Sequence, residues 1–249
     1  MRRRRTRHDE ILAAIASGDA DVEVLAARFG VSASTIRRDL NALSARRAIA
    51  RTYGGAILAA PASEMSLRAR TAQHRAAKAA IAQAALSLIE GGTIILDGGS
   101  TVEALGRLLR GRALRVVTTN LPLIPVLADS PGMELVVLGG TVRPISGSTV
   151  GPLAEATLRH VTADRVFMSG DGVMPGRGVC EATLEQVSLK SLMMRQAREV
   201  VVLADASKLG RDGQPFWAPL PLGWTLVTDA PESACAPFAE EGARVIRVG

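Results

Sequence analysis

Aromatic side chains are nearly absent from this chain: Phe, Trp and Tyr together make up 3% of its 249 residues. Any core must therefore be built from Leu, Val, Ile and Ala. A hydrophobic content of 47% supplies them and excludes global disorder. Cysteine is scarce as well. Cys180 and Cys235 lie far apart and match no metal-ligand spacing, so neither a disulfide framework nor a zinc site is expected. A reduced, cytoplasmic setting is the default. No apolar run approaches the roughly 18–20 residues that span a membrane. The opening "MRRRRTRHDE" leads into a stretch too short and too acidic for a signal peptide. Nucleotide fingerprints are missing too: there is no Walker ending of Gly-Lys-Ser/Thr and no GxGxxG, which argues against a dinucleotide. No cofactor and no metal is expected, and no internal repeat is found.

What is present is unevenly placed. The net charge is +6, yet residues 1–60 carry 11 of the 30 basic and 6 of the 24 acidic residues. Almost the whole excess sits in the first quarter of the chain. A polyanion-binding head on a near-neutral body is the direct reading, with a solvated basic tail as the plain alternative. The length accommodates one small and one large domain.

In the head, Ile11, Leu12 and Ile15 give one apolar stripe, and Val22, Leu25, Ala26 and Phe29 give a second, closed by Gly30. "VSASTIRRDLNALSARR" follows. Ser32 reads as an N-cap, and Ile36, Leu40 and Leu43 share one face. Ser34, Arg37, Arg38 and Asn41 fall on the opposite face, with Ser32 and Thr35 at the helix start. A recognition helix needs that donor-rich exposed face, because side chains near its N-terminus reach base edges and phosphates. "AIARTYGGAILA" then predicts a hairpin, a wing that carries Arg51 and Tyr53 toward DNA. The domains expected are a winged helix-turn-helix over 1–58, a linker over 59–75 and an α/β domain over 76–249.

The body alternates. "TIILD", "RVVTTN", "ELVVLGG", "RVFMSGDG", "EVVVLAD" and "TLVTD" read as strands, with "ARVIRVG" as a further one and helical patterns between most of them. That predicts a mostly parallel sheet covered on both faces. Polar residues gather at the strand ends: Asp97, Thr118, Thr119, Asn120, Asp171, Asp205 and Asp229. Ligands bind in that crevice of open α/β sheets, although each aspartate alone also reads as a helix cap. In "DGGST", Gly98 and Gly99 allow close backbone approach, and Ser100 and Thr101 open a helix whose free N–H groups favour an anion. Arg143 on a Gly-rich turn, Glu181 before a helix, Glu185 and Lys190 on it, and Lys208 in "DASKLG" complete the candidate pocket. Glu185 and Lys190 are five apart and need not share a face. Cys180 reads as a small buried residue.

"SASTIRRDLNAL" with "RTYGGA", and later "TIILDGGSTVEAL", "VVTTN", "LVVLGGTVRP", "EATLEQVSLKSLMM" and "LADASKLG", resemble the DeoR family of transcriptional regulators over most of the chain. Here Tyr53 stands where that family usually has histidine, and Ser100 where it has threonine. The resemblance implies a C-terminal sensor similar in fold to ribose-5-phosphate isomerase. It also implies effector contacts at Asp97, Gly99, Ser100, Thr101, Thr119, Asn120, Asp205 and Lys208.

Three functions compete. The first is a DNA-binding regulator, a repressor of carbohydrate genes, that binds operator DNA as a homo-oligomer (dimer or tetramer) and senses a phosphorylated sugar. The second is an aldose–ketose isomerase carrying a DNA-binding head, with a base among Glu181, Glu185, Asp97 and Asp171. The third is a constitutive DNA binder with a vestigial pocket. The head favours the regulator, since a helix-turn-helix serves an enzyme poorly; no catalytic residue is assigned.

Overall fold

The computed structural model describes residues 7–8, 10–11, 14–15, 21–45, 49–52, 55–58 and 64–249, with backbone only at 44–45, 49–52 and 55–58. The chain divides into two compact units, Met1–Ser63 and Glu64–Gly249.

In the first unit, helix α1 spans Val22–Phe29 and helix α2 spans Ala33–Ala45. The Asp21 carboxylate starts α1 by accepting the backbone N–H groups of Glu23 at 2.8 Å and Val24 at 3.3 Å. Gly30 ends it with a φ of 62°, left-handed backbone that turns its N–H onto the carbonyls of Ala26 and Ala27. Ser32 caps α2, its hydroxyl accepting the Thr35 N–H at 3.2 Å, a contact worth about 1 kcal/mol. Ile11, Ile15, Val22, Leu25, Ile36, Leu40 and Leu43 form the core. Asp39 is buried beside that core and receives Arg7 Nε at 2.8 Å. Strands β1 (Ile49–Thr52) and β2 (Gly55–Leu58) pair antiparallel as the expected hairpin. Tyr53 lies outside the described residues.

The second unit opens with helices α3 (Leu67–Ala72) and α4 (Arg75–Leu86). Residues 64–75, expected as linker, therefore belong to the compact body. Strand β3 (Thr93–Leu96) leads to helix α5 (Ser100–Arg107), β4 (Arg115–Thr118) to the short α6 (Ile124–Leu127), and then comes β5 (Glu134–Val137). A hairpin of β6 (Thr141–Arg143) and β7 (Ser148–Val150) precedes α7 (Pro152–Leu158). Next come β8 (Ala163–Met168), β9 (Gly172–Met174), β10 (Gly178–Glu181) and helix α8 (Leu184–Gln196). The chain continues through β11 (Ala197–Leu203), β12 (Phe216–Ala218), β13 (Thr225–Thr228), α9 (Glu232–Glu240) and β14 (Arg244–Arg247).

Seven strands form one sheet in the order β14-β13-β11-β8-β3-β4-β5, and all six pairings are parallel. Every strand expected in the body is in it. Side-chain alternation splits each apolar run between two faces. Ile95, Val200 and Val202 pack with Leu189 and Met193 of α8, while Ile94, Leu96, Val201 and Leu203 pack with Ile81 of α4 and Leu105 of α5. The hairpin β6–β7 and the small antiparallel sheet β12-β10-β9 were not expected. Four of their five strands are only three residues long, too short to show a period. Among the described residues no helix is long and apolar enough to cross a membrane.

Strand order decides where a ligand site lies. From β3 the chain builds outward through β4 to β5; from β8 it builds the other way through β11, β13 and β14. The reversal falls between β3 and β8, and a crevice opens beyond their carboxyl ends.

Candidate functional site

At that crevice Asp97 follows β3, its N–H bonded to the Phe167 carbonyl of β8 at 3.0 Å. Gly99 begins α5 with a φ of 118°, a conformation few side chains tolerate, and no side chain caps the helix. The first-turn N–H groups of α5 thus lack intrahelical acceptors, an arrangement that favours an anion. Asn120 braces the loop by donating Nδ2 to the Asp97 carbonyl at 3.3 Å and the Gly99 carbonyl at 3.2 Å.

Two adjoining lobes share Arg70 and Gly99. One is lined by Asp97, Gly98, Thr119, Ser146, Ser148, Thr149, Glu181, Gln186 and Lys190. Its centre is a buried ion cluster. The Lys190 ammonium contacts Asp97, donates to the Ser169 carbonyl at 2.6 Å and lies 3.1 Å from Glu181 Oε1. Gln186 Nε2 donates to Glu181 Oε2 at 2.8 Å. Burial works against the Lys190 charge, but the two carboxylates outweigh it and hold the ammonium above its ordinary pKa. Burial pushes Glu181 up to about 7, against the pull of Lys190 and with the help of Asp171 and Asp97.

A group whose pKa is raised by folding stabilises most below its unfolded value and loses that contribution as pH rises through the folded one. Relative to wild type, Glu181→Gln is therefore expected to remove a fall in stability between about pH 4.5 and 7 of at most about 3 kcal/mol. Urea melts across that range check it; parallel pH profiles for the two proteins would contradict it.

The other lobe is lined by Met65, Gln73, His74, Lys78, Ser100, Thr101, Ser169, Asp171, Asp205, Ser207, Lys208 and Arg211. Counting Arg70, four cations face two carboxylates, which makes it the electropositive half. Lys208 donates to the Gly170 carbonyl at 2.9 Å, and burial lowers its pKa against the pull of Asp171. Lys78, on α4, is buried too; it donates to the Arg70 and Gln73 carbonyls at 2.5 and 2.9 Å, and burial lowers its pKa. Asp205 caps the short turn Ala206–Lys208, and Asp229 accepts the Ala206 N–H at 2.7 Å.

The fold thus brings together Asp97, Gly98, Gly99, Ser100, Thr101, Thr119, Asp171, Glu181, Lys190, Asp205 and Lys208. Four expected contacts are placed otherwise. Thr118 is fully buried, donating to the Leu96 carbonyl at 2.7 Å and accepting the Asn120 N–H at 2.9 Å, so it is a strut behind the site. Asn120 holds the loop from behind rather than lining a lobe. Arg143 is committed to Glu64, donating Nη1 to Oε1 at 2.7 Å, and lines neither lobe. Glu185 is exposed on the far side of α8, near Glu155 and Gly151. Arg70, Lys78, Ser148, Gln186 and Arg211 were not anticipated. A lysine among the alanines of α4 was the visible signal for Lys78; the others carry no local one. Cys180 is buried and its thiol is pushed up to about 11 by burial, so it stays protonated.

On the first unit, Ser32, Ser34, Arg37, Arg38 and Asn41 are exposed and Thr35 is half-buried, opposite the buried Ile36, Leu40 and Leu43. The backbone of Arg51 lies in β1.

Comparison with known proteins agrees with both units. The DeoR-like helix-turn-helix domain matches residues 7–62, and the DeoR C terminal sensor domain matches residues 73–230. A putative aga operon transcriptional repressor of Escherichia coli O157:H7 is 34% identical over 199 residues, 78% of this chain and 74% of the relative. The glycerol-3-phosphate regulon repressor of Escherichia coli K12 is 30% identical over 231 residues, 90% of each chain. Among solved structures, ribose 5-phosphate isomerase A from Methanocaldococcus jannaschii covers 53% of this chain and 52% of its own, at 21% identity and a TM-score of 0.38.

Proposed function

Since this chain belongs to the DeoR family of transcriptional regulators, we propose that the two lobes at the β3–β8 crevice are the effector site of a sugar-phosphate-sensing repressor. The electropositive lobe takes the phosphate, on the N-terminus of α5 with Ser100, Thr101, Lys208 and Lys78. The other lobe takes the polyol, through Asp97, Thr119, Glu181 and Lys190. The observation that carries this reading is the division of charge: four cations around one lobe, and one lysine between two carboxylates, ringed by hydroxyls, in the next. A small molecule with a phosphate at one end and hydroxyls along its length fits both. The name of the glycerol-3-phosphate regulon repressor points to the same chemistry in a relative.

The head reads operator DNA through Ser32, Ser34, Thr35, Arg37, Arg38 and Asn41, with Arg51 and Tyr53 as further contacts. One helix-turn-helix per chain suits a homo-oligomer on repeated half-sites. The effector acts by binding one arrangement of the heads better than another.

Calorimetry on the full-length protein tests the site. Glycerol 3-phosphate, ribose 5-phosphate and fructose 6-phosphate are compared with the same compounds lacking phosphate. At least one phosphorylated form is expected to bind far more tightly than its parent. Lys208→Gln is expected to weaken it about tenfold or more, since a hydrogen bond to a charged group is worth about 1.5–3 kcal/mol. Equal affinity for both forms, or no effect of the substitution, would sink the assignment.

A further inference from the structure

Arg70 is the residue both lobes share that carries charge, and it sits on α3, in the segment that follows the head in sequence. Its guanidinium is under-used. Nη1 donates to Asp171 Oδ1 at 3.1 Å, and Nη2 lies 3.7 Å from Glu64 Oε1. Nε and Nη2 are buried and, among the described residues, have no hydrogen-bond partner. A guanidinium presents five N–H donors in a rigid fork that matches a phosphate. The two carboxylates beside it are shared with other groups. Asp171 also accepts Gln214 Nε2 at 2.9 Å and lies 3.8 Å from Lys208; Glu64 is bound by Arg143.

A second observation ties the same segment to the phosphate lobe. Lys78 lines that lobe, and its ammonium holds the carbonyls of Arg70 and Gln73 at the end of α3. Two fastenings of residues 67–73 are therefore cations that an incoming anion attracts: the Arg70 side chain on Asp171, and the Lys78 ammonium on the backbone. Other ties do not depend on these cations: the Leu67 N–H on the Ile145 carbonyl at 2.7 Å, the buried Leu67 side chain, and, just before the helix, the Glu64–Arg143 pair.

We propose that Arg70 is an effector-binding residue: its Nε and Nη2 edge is buried and makes no hydrogen bond among the described residues, so the guanidinium turns away from Asp171 to present that edge to a phosphate oxygen, and this exchange loosens residues 67–73 from the body. Asp171 is not stranded by the exchange, because Gln214 and Lys208 remain to it. The segment before the sensor thus registers occupancy directly. This rests on the reading of the electropositive lobe as a phosphate site.

Inorganic phosphate on the full-length protein is the probe, with calorimetry for affinity and hydrogen exchange by mass spectrometry for residues 67–73. Saturating phosphate is expected to raise amide exchange in that segment several-fold, with a midpoint matching the calorimetric Kd. Arg70→Gln is expected to weaken phosphate binding about tenfold and to abolish the exchange response even when saturated. Arg70→Lys keeps the charge without the fork; it should bind phosphate at intermediate strength, and it serves if the glutamine variant fails to fold. Wild-type affinity in both variants, or unchanged exchange of 67–73 at saturation, overturns the role of Arg70 while leaving the lobe assignment standing, provided Lys208→Gln still weakens binding. A wild-type protein that binds neither phosphate nor any sugar phosphate overturns both.

Discussion

Replacing Arg37 and Arg38 together with alanine will cost operator affinity about 100-fold or more, on the order of 1–2 kcal/mol for each cation removed from the DNA surface. Both side chains are exposed on the outward face of α2, and the Ser32-capped end of that helix presents them. Among the described residues Arg37 has one ionic neighbour, Glu23 at 3.6 Å, but the two side chains are 59% and 72% exposed, so water and salt weaken that pair and leave the guanidinium available. Fluorescence anisotropy with DNA from upstream of the protein's own gene reads the loss. A second signature accompanies it: the slope of log affinity against log salt should shrink by about 2, one counterion for each lost phosphate contact. Thermal stability should shift by no more than about 0.5 kcal/mol, because neither side chain packs in the core. Undiminished affinity would mean that another surface of the head meets DNA.

Replacing Lys190 with methionine will destabilise the second unit by about 3–5 kcal/mol at pH 8. The substitution keeps the length of the side chain and removes the one ammonium that Asp97 and Glu181 both contact, leaving two buried carboxylates without it. The loss should shrink toward pH 5. Glu181 already titrates near 7, so below that pH it takes up a proton and only Asp97 keeps its charge. Both tryptophans, Trp217 and Trp224, lie in the second unit, so fluorescence-detected urea unfolding follows that unit alone. A variant within about 1 kcal/mol of wild type at pH 8 would mean that the cluster contributes charge to ligand binding but little to the fold.

How much of this site was legible in the chain depends on the range of the interaction. Asp97, Gly99, Asp205 and Lys208 were readable because a polar residue at the end of a buried parallel strand has one place to go, the carboxyl-end crevice. Thr118 and Thr119 looked alike by that criterion. Strand alternation separates them: Thr119 faces the lobe, while Thr118 turns inward and spends its hydroxyl on the backbone. Glu185 and Lys190 were equally ambiguous until the packing of α8 chose which face of the helix is buried. Arg143 and Arg70 were exchanged. The Gly-rich turn drew attention to Arg143, which in the structure anchors Glu64, whereas Arg70 sits in a stretch that reads as a polar connector and enters the site from there.

The sequence by itself determined the two kinds of domain, the alternation of strands and helices, the outward face of α2 and the family, because each is written in periodicities of two or 3.6 residues and in short contiguous signatures. Only the tertiary structure decided which side chains converge. Lys190 meets Asp97 across 93 positions, and Arg70 meets Asp171 across 101. Those meetings follow from the order of strands in the sheet and from how α3 and α8 pack on it. Strand order is settled by the burial of whole faces against one another, a property that no local stretch of the chain contains.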